Sequence, residues 1–169
     1  MRCGRLHKKV AMNNISDTDA AYIAGFLDGE GYITLVRNHW GNAAKTSSYI
    51  LKVSITNTDK SILEWIKNIV GIGNVYVKRP AKEHYLPCWE WCLGSANLAK
   101  PFLERLYPYL RIKRNQADIG IRYGETSCLK SNKKLPQNVI DLREVLREKM
   151  LSENRKRRTN SSAIIEKHY

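Results

Sequence analysis

The sequence predicts an α+β domain: two β-hairpins in one four-stranded antiparallel sheet, with helices covering one face. Three observations carry this. An apolar helical run gives way, just after Gly31, to a period of two. Strand-like segments then come in two pairs. Each pair is followed by helical sequence, and helices that follow antiparallel hairpins bury their stripes against one sheet face and leave the other open. At 169 residues the chain has the length of one ordinary domain.

The elements follow in order. Ser16, with Asp19 three positions later, is close to a capping box. Ala20 to Leu27 reads as a helix too apolar all round to lie on a surface. Gly25 and Gly29 are four apart on one face, which lets another backbone approach. In "YITLVRNHW" Ile33 and Leu35 point one way and Tyr32, Thr34, Val36 and Asn38 the other. In "SYILKVSIT" Tyr49, Leu51, Val53 and Ile55 oppose Lys52, Ser54 and Thr56, with a hairpin loop through Gly41-Asn42 and residues 45–48 between the two strands. "DKSILEWIKNIVG" is an amphipathic helix with the stripe Ile62, Leu63, Ile66, Ile69 and Val70, stopped by Gly71. "NVYVKR" is expected to bury Val75 and Val77 and expose Tyr76 and Lys78. "CWEWCLG" is expected to bury Trp89, Trp91 and Leu93 and expose Cys88, Glu90 and Cys92. Helices are expected from about Asn97 to Tyr107, from near Lys113, and from Pro136 to about Glu153. Residues 1–14 read as a basic extension, 15–153 as the domain, and 154–169 as a basic tail with a disordered end.

Composition narrows the partner. The chain holds 29 Lys and Arg against 16 Asp and Glu, a formal net charge of +13. Such an excess points to a polyanion, and nucleic acid is the commonest. The open sheet face, with Thr34, Lys52, Ser54, Lys78 and Glu90, suits a ribbon in the major groove of duplex DNA. Cys3, Cys88, Cys92 and Cys128 lack zinc spacing and read as reduced thiols. No secretory signal and no membrane-spanning stretch is present, so an intracellular, soluble protein without a membrane partner is expected.

The stretch "YIAGFLDGEG", residues 22–31, resembles the signature of the LAGLIDADG homing endonucleases. "ITNTDKSILEWIKNIVGIGNV" resembles the family's second strand and following helix. "LYPYLRIKRNQA" resembles its later segment, with a basic residue just before a helix. The three segments in this order span about residues 16 to 150. The resemblance implies the αββαββα fold, with signature helices packed against each other at a subunit interface. It also implies that each helix delivers its closing acid, here Glu30, towards the DNA. No second copy of the motif is present, so a homodimer on double-stranded DNA is implied.

The implied activity is hydrolysis of a phosphodiester in each strand. Glu30, with the Gly29 carbonyl, would hold Mg²⁺ or Mn²⁺, Ca²⁺ would bind without supporting cleavage, and no small-molecule cofactor is implied. Lys113 matches a basic residue near the scissile phosphates, Asn57 stands where several relatives carry the longer Gln that orients water, and Lys60 lies near a second basic position. Expected at the DNA are Tyr32, Thr34, Val36, Asn38, Lys52, Ser54, Tyr76, Lys78, Glu90 and Arg111. Expected at the dimer interface are Ala24, Gly25, Asp28 and Gly29, although Asp28 also suits a hydrogen bond at the helix end. A target of roughly 18 to 22 base pairs follows from the strand length.

Three rivals stand beside this reading. An RNA-splicing maturase or DNA-binding protein of the same fold would bind without cutting. A structural RNA-binding or ribosomal protein would explain the charge but not "DGEG". A calcium loop lacks the further oxygen ligands.

Overall fold

The computed structural model describes residues 12–37, 49–81, 83, 85–127 and 135–165, with 157–165 described by their backbone. Asn38, the expected hairpin loop, Cys3 and Cys128 lie outside the described residues. The chain runs α1 (Asp17–Glu30), β1 (Gly31–Arg37), β2 (Tyr49–Asn57), α2 (Lys60–Val70), β3 (Asn74–Arg79), β4 (Cys88–Leu93), α3 (Ala96–Leu106), α4 (Arg114–Ser127) and α5 (Gln137–Ile165). The expected order is borne out.

The strands form one antiparallel sheet in the order β1-β2-β4-β3. The hairpins therefore join through their second strands, Val53 opposite Leu93 and Ile55 opposite Trp91. Every second residue faces the helices. Ile33, Leu35, Leu51, Val53, Ile55, Trp91 and Leu93 are buried there with Ile23 and Leu27 of α1, Leu63 and Ile66 of α2, and Phe102 and Leu103 of α3. The Trp91 ring lies 5.1 Å from Phe102, and its indole N–H donates to the Ile72 carbonyl at 3.2 Å. That bond removes the one polar cost of burying a tryptophan.

Two glycines shape the entry to β3. Gly71 ends α2 with φ +74. The Asn13 amide donates to the Asn68 and Ile69 carbonyls there, so the chain before α1 closes the C-terminus of α2. Gly73, at φ +95, passes so close to Trp91 that a Cβ would stand 2.5 Å from the indole nitrogen.

The structure corrects three expectations. Val77 is 46% exposed and Trp89 only half-buried. β3 is an edge strand, and its register with β4 is irregular between Val77 and Arg79. Helix α5 continues to Ile165, well past Glu153. Its sequence contains no Gly or Pro to end it, and Asn154 Nδ2 ties it to the Ile33 carbonyl at 3.2 Å. Helix α1 is not buried all round, because Ala21, Tyr22, Gly25 and Gly29 are exposed.

Gly73→Ala combines a left-handed backbone with a clash against a buried ring. It is expected to cost about 2 kcal/mol or more in denaturant unfolding. Gly94→Ala, where a Cβ meets nothing within 4 Å, is expected to stay within about 0.5 kcal/mol.

Candidate active site and nucleic-acid interface

The site is built on the two faces of α1. The Ser16 hydroxyl accepts from the Asp19 N–H at 3.1 Å and donates to the Asp19 carboxylate at 2.7 Å, which starts the helix. Arg105 holds the Ile15 carbonyl and Asp17. Ala20, Ile23, Ala24, Leu27 and Asp28 then form the buried stripe. Ala24 is fully enclosed in this stripe, so the expectation that it lines a subunit interface is overturned. Gly25 and Gly29 lie on the opposite stripe, where a Cβ on either would meet nothing within 4 Å. Tyr22, 51% exposed, flanks them and stacks edge-on against Trp65.

Gly31 does a different job. A Cβ there would stand 2.4 Å from Leu27 Cδ1 and 2.9 Å from the Ser54 carbonyl. Only a glycine lets β2 close on the end of α1.

Asp28 is also turned inward, which removes it from the expected interface. Its carboxylate accepts from the backbone N–H groups of Arg111 (2.7 Å), Ile112 (3.0 Å) and Lys113 (2.8 Å). These are the free amides ahead of α4, and the carboxylate closes them as a cap would. In return the buried Lys113 ammonium donates to the Asp28 carbonyl, placing a cation at the C-terminal end of α1.

Glu30 ends α1 on the solvent side. No ion pair among the described residues engages it. Beside it opens a cleft of about 750 Å³, lined by Gly29, Tyr32, Thr34 and Lys113 and, from α5, by Asn154 and Arg155. The α5 residues were missed because the segment reads as tail. The signal that could have found them is the lack of any helix stop after Pro136. No group of three or more His, Cys, Asp or Glu is placed to hold a metal among the described residues. Glu30 does not itself line the cleft, but it lies in the chain between Gly29 and Gly31, which do, so one chain brings a single carboxylate to the cleft's edge. That suits a hard cation that takes few protein oxygens and completes its shell with phosphate oxygens and water.

The open sheet face carries the expected residues, but not all at its surface. Tyr32, Thr34, Val36, Tyr76 and Lys78 are accessible. Ser54 and Glu90 are buried, which overturns their expected contact with DNA. Lys52 Nζ lies 3.0 Å from Glu90 Oε1 and donates to the Tyr76 hydroxyl at 3.4 Å, and that hydroxyl donates to Glu90 Oε2 at 2.8 Å. Lys52 and Lys78 both stand over the Tyr32 ring, and Lys78 also donates to Thr56. Burial pushes the Glu90 carboxyl up, but Ser54, Lys52 and Tyr76 outweigh it and hold it below the usual range. Burial also opposes the Lys52 charge, yet Tyr32 and Glu90 raise its pKa overall. Tyr76 is pushed up to about 12 by burial and by Glu90.

The remaining candidates are spread out. Asn57 Oδ1 accepts from the Asp59 N–H, and Asp59 caps α2 through the Ser61 N–H. Register puts Asn57 two residues past the Gly31–Ile55 pair, level with the last turn of α1. Lys60 pairs with Glu64 at 3.7 Å and stands over the Trp89 ring. Arg111 is exposed beside the Asp28 bond. Neither Asn57 nor Lys60 lines the cleft.

Comparison with known proteins decides the family. The model of the LAGLIDADG endonucleases matches residues 23–118. This chain belongs to that family. The DNA endonuclease I-CvuI of Chlorella vulgaris is 30% identical over 110 residues, 60% of this chain and 61% of that protein. The match thus spans under two thirds of that relative. The crystal structure of the homing endonuclease I-CvuI with its target, in the presence of Ca, has a TM-score of 0.66 at 22% identity, over 80% of this chain and 82% of that one. The archaeal intron-encoded homing endonuclease I-Vdi141I with DNA gives 0.66 at 19%, over 81% and 84%. The LAGLIDADG meganuclease I-AabMI bound to uncleaved DNA gives 0.59 at 19%, over 76% of this chain and 43% of that one. At these identities the structures establish the fold.

Asp28→Ala is expected to cost about 3 kcal/mol in chemical denaturation, since three buried amides lose a charged acceptor. Asp28→Asn, which keeps one acceptor oxygen, is expected to cost roughly half of that.

Proposed function

We propose that this chain is a site-specific double-strand DNA endonuclease acting as a homodimer. One observation carries the reading. Glu30 stands accessible, with no ion-pair partner among the described residues, where the exposed face of α1 meets the start of the sheet. A surface that can take a second helix thereby adjoins one that can take a duplex, with a carboxylate between them. Family membership supports the same reading, as do relatives whose names describe DNA endonucleases.

The second copy would seat its own α1 across Gly25 and Gly29, covering Tyr22 and bringing the two Glu30 side chains together about a dyad. The open sheet faces then form one saddle along the duplex. Glu30 would hold Mg²⁺ with the Gly29 carbonyl. When bound, the ion supplies positive charge to the phosphoryl and leaving oxygens and favours a water nucleophile. Lys113, held against the end of α1, adds fixed positive charge on the cleft wall. Gly31 and Asp28 set where the helix ends and so where Glu30 points. Arg155, on the cleft wall, and the exposed Arg111 would meet backbone phosphate.

Glu30→Gln is expected to abolish cleavage of a target selected from a randomised duplex library with Mg²⁺, while binding in Ca²⁺ changes less than about threefold. Retained nicking by a pure preparation would put the metal carboxylate elsewhere. Preserved cleavage by a chain that selects only structured RNA is incompatible with the reading.

Gly25→Leu is expected to shift the chain to a monomer in sedimentation and to lose cleavage. Its fold should remain, because the added side chain points away from the core. An active dimer from this variant would exclude α1 as the interface.

A further inference from the structure

We infer that Glu90 is a positioning residue for sequence specificity, holding Lys52 so that it serves one base edge in each half-site instead of backbone phosphate. The inference rests on the DNA-cleaving reading above. The observation is the arrangement of charge on the open sheet face. Lys52 lies in the row of Thr34, and Glu90 in the row of Thr56. They are two rows apart, and the row between them is Tyr32–Ser54–Cys92. To meet at 3.0 Å, both side chains must lean along the strands over Ser54. Ser54 is accordingly fully buried although it sits on the open face.

Side-chain exposure in the pair is unequal: 4% for Glu90 and 24% for Lys52. Glu90 cannot reach a base, so it is not a reader. Lys52 can. Its ammonium has three N–H donors. One lies towards Glu90 and one towards Tyr76. The third points towards Tyr32, which also raises the Lys52 pKa, and either neutral tyrosine hydroxyl can yield its place to a base acceptor above the sheet. The Tyr32 ring beneath Nζ and the Tyr76 hydroxyl at its side remove the freedom that a surface lysine normally has.

Two consequences follow from the physical chemistry. A lysine whose charge is balanced by a buried carboxylate is a weak phosphate ligand, since phosphate affinity is mostly net charge. A lysine held in one place is a good reader of fixed acceptors, and the major-groove edge of guanine, with O6 and N7, is the edge that takes Lys. Lys78 differs, because its hydrogen bond goes to the neutral Thr56 and its charge remains to serve the backbone. The sheet thus separates a reading lysine from a holding one.

The test is a duplex-library selection in Ca²⁺ with the full chain, together with the dependence of binding on salt. The wild type is expected to prefer guanine by roughly tenfold or more at one position in each half-site. Lys52→Met should flatten that position alone and leave the salt slope unchanged. Glu90→Gln should flatten the same position and steepen the log–log salt slope by about one per subunit, as the released Lys52 finds phosphate. The double variant should match the Lys52→Met profile, because Glu90 acts through Lys52.

A Glu90→Gln profile identical to wild type overturns the inference, even if the melting temperature falls. So does a Lys52→Met variant whose slope becomes shallower while every base preference is kept. The Lys52→Met result decides the matter if Glu90→Gln fails to fold. A wild-type protein that selects no sequence overturns the endonuclease reading together with this one. A wild type that selects a site, with variants that ignore these expectations, overturns this one alone.

Discussion

The Asp28 carboxylate is the contact on which the site depends. One side chain gathers the three amides of residues 111–113, and Lys113 returns a bond to the Asp28 carbonyl. The exchange locks the last turn of α1 to the segment that leads into α4. Either helix alone would leave its end groups open at this point, since four N–H and four C=O groups at helix ends lack internal partners. With the lock in place, the position of Gly29, the direction of Glu30 and the place of Lys113 on the cleft wall are all consequences of one interaction.

The two acids of the motif divide their labour by helical geometry. Asp28 and Glu30 are two residues apart, about 200° around the axis at 3.6 residues per turn. If one faces the core, the other must face away. A net charge of +13 makes any carboxylate conspicuous, but charge alone does not say which is structural. The hydrogen bonds do. Asp28 has three backbone donors around it, whereas Glu30 has no ion-pair partner among the described residues.

Much of the fold was legible because alternation and stop signals are local. The change of period at Gly31, the Ser16 cap and the Gly71 stop predicted β1, α1 and α2 closely. What was not legible depends on partners distant in sequence. Ala24 and Gly25 both sit in an apolar run, and only packing against α3 and β2 tells the buried stripe from the open one. Glu90 and Ser54 were assigned to the correct face, but their burial follows from Lys52, one row from Ser54 on β2 and two rows from Glu90 on the neighbouring strand. Val77 alternates like a core residue and is exposed because β3 is an edge. Arg155 was unreadable for another reason. A polar basic stretch has no stripe, so its helix is visible only as the absence of a breaker.

The same separation explains why the free chain looks incomplete. A monomer that left Tyr22 half-exposed beside two glycines would gain by filling that face with larger, self-packed side chains. The glycines instead keep the helix surface low. A low surface is useful only to a partner backbone that comes near, because close approach multiplies dispersion contacts that no solvent can replace. The open face is the one that the proposed pairing of helices would use. Glu30 is exposed as that face is, one residue and about 100° around the axis from Gly29. A substitution on the buried stripe then tests the fold, while one on the open stripe tests assembly and chemistry, although both lie within a single helix of fourteen residues.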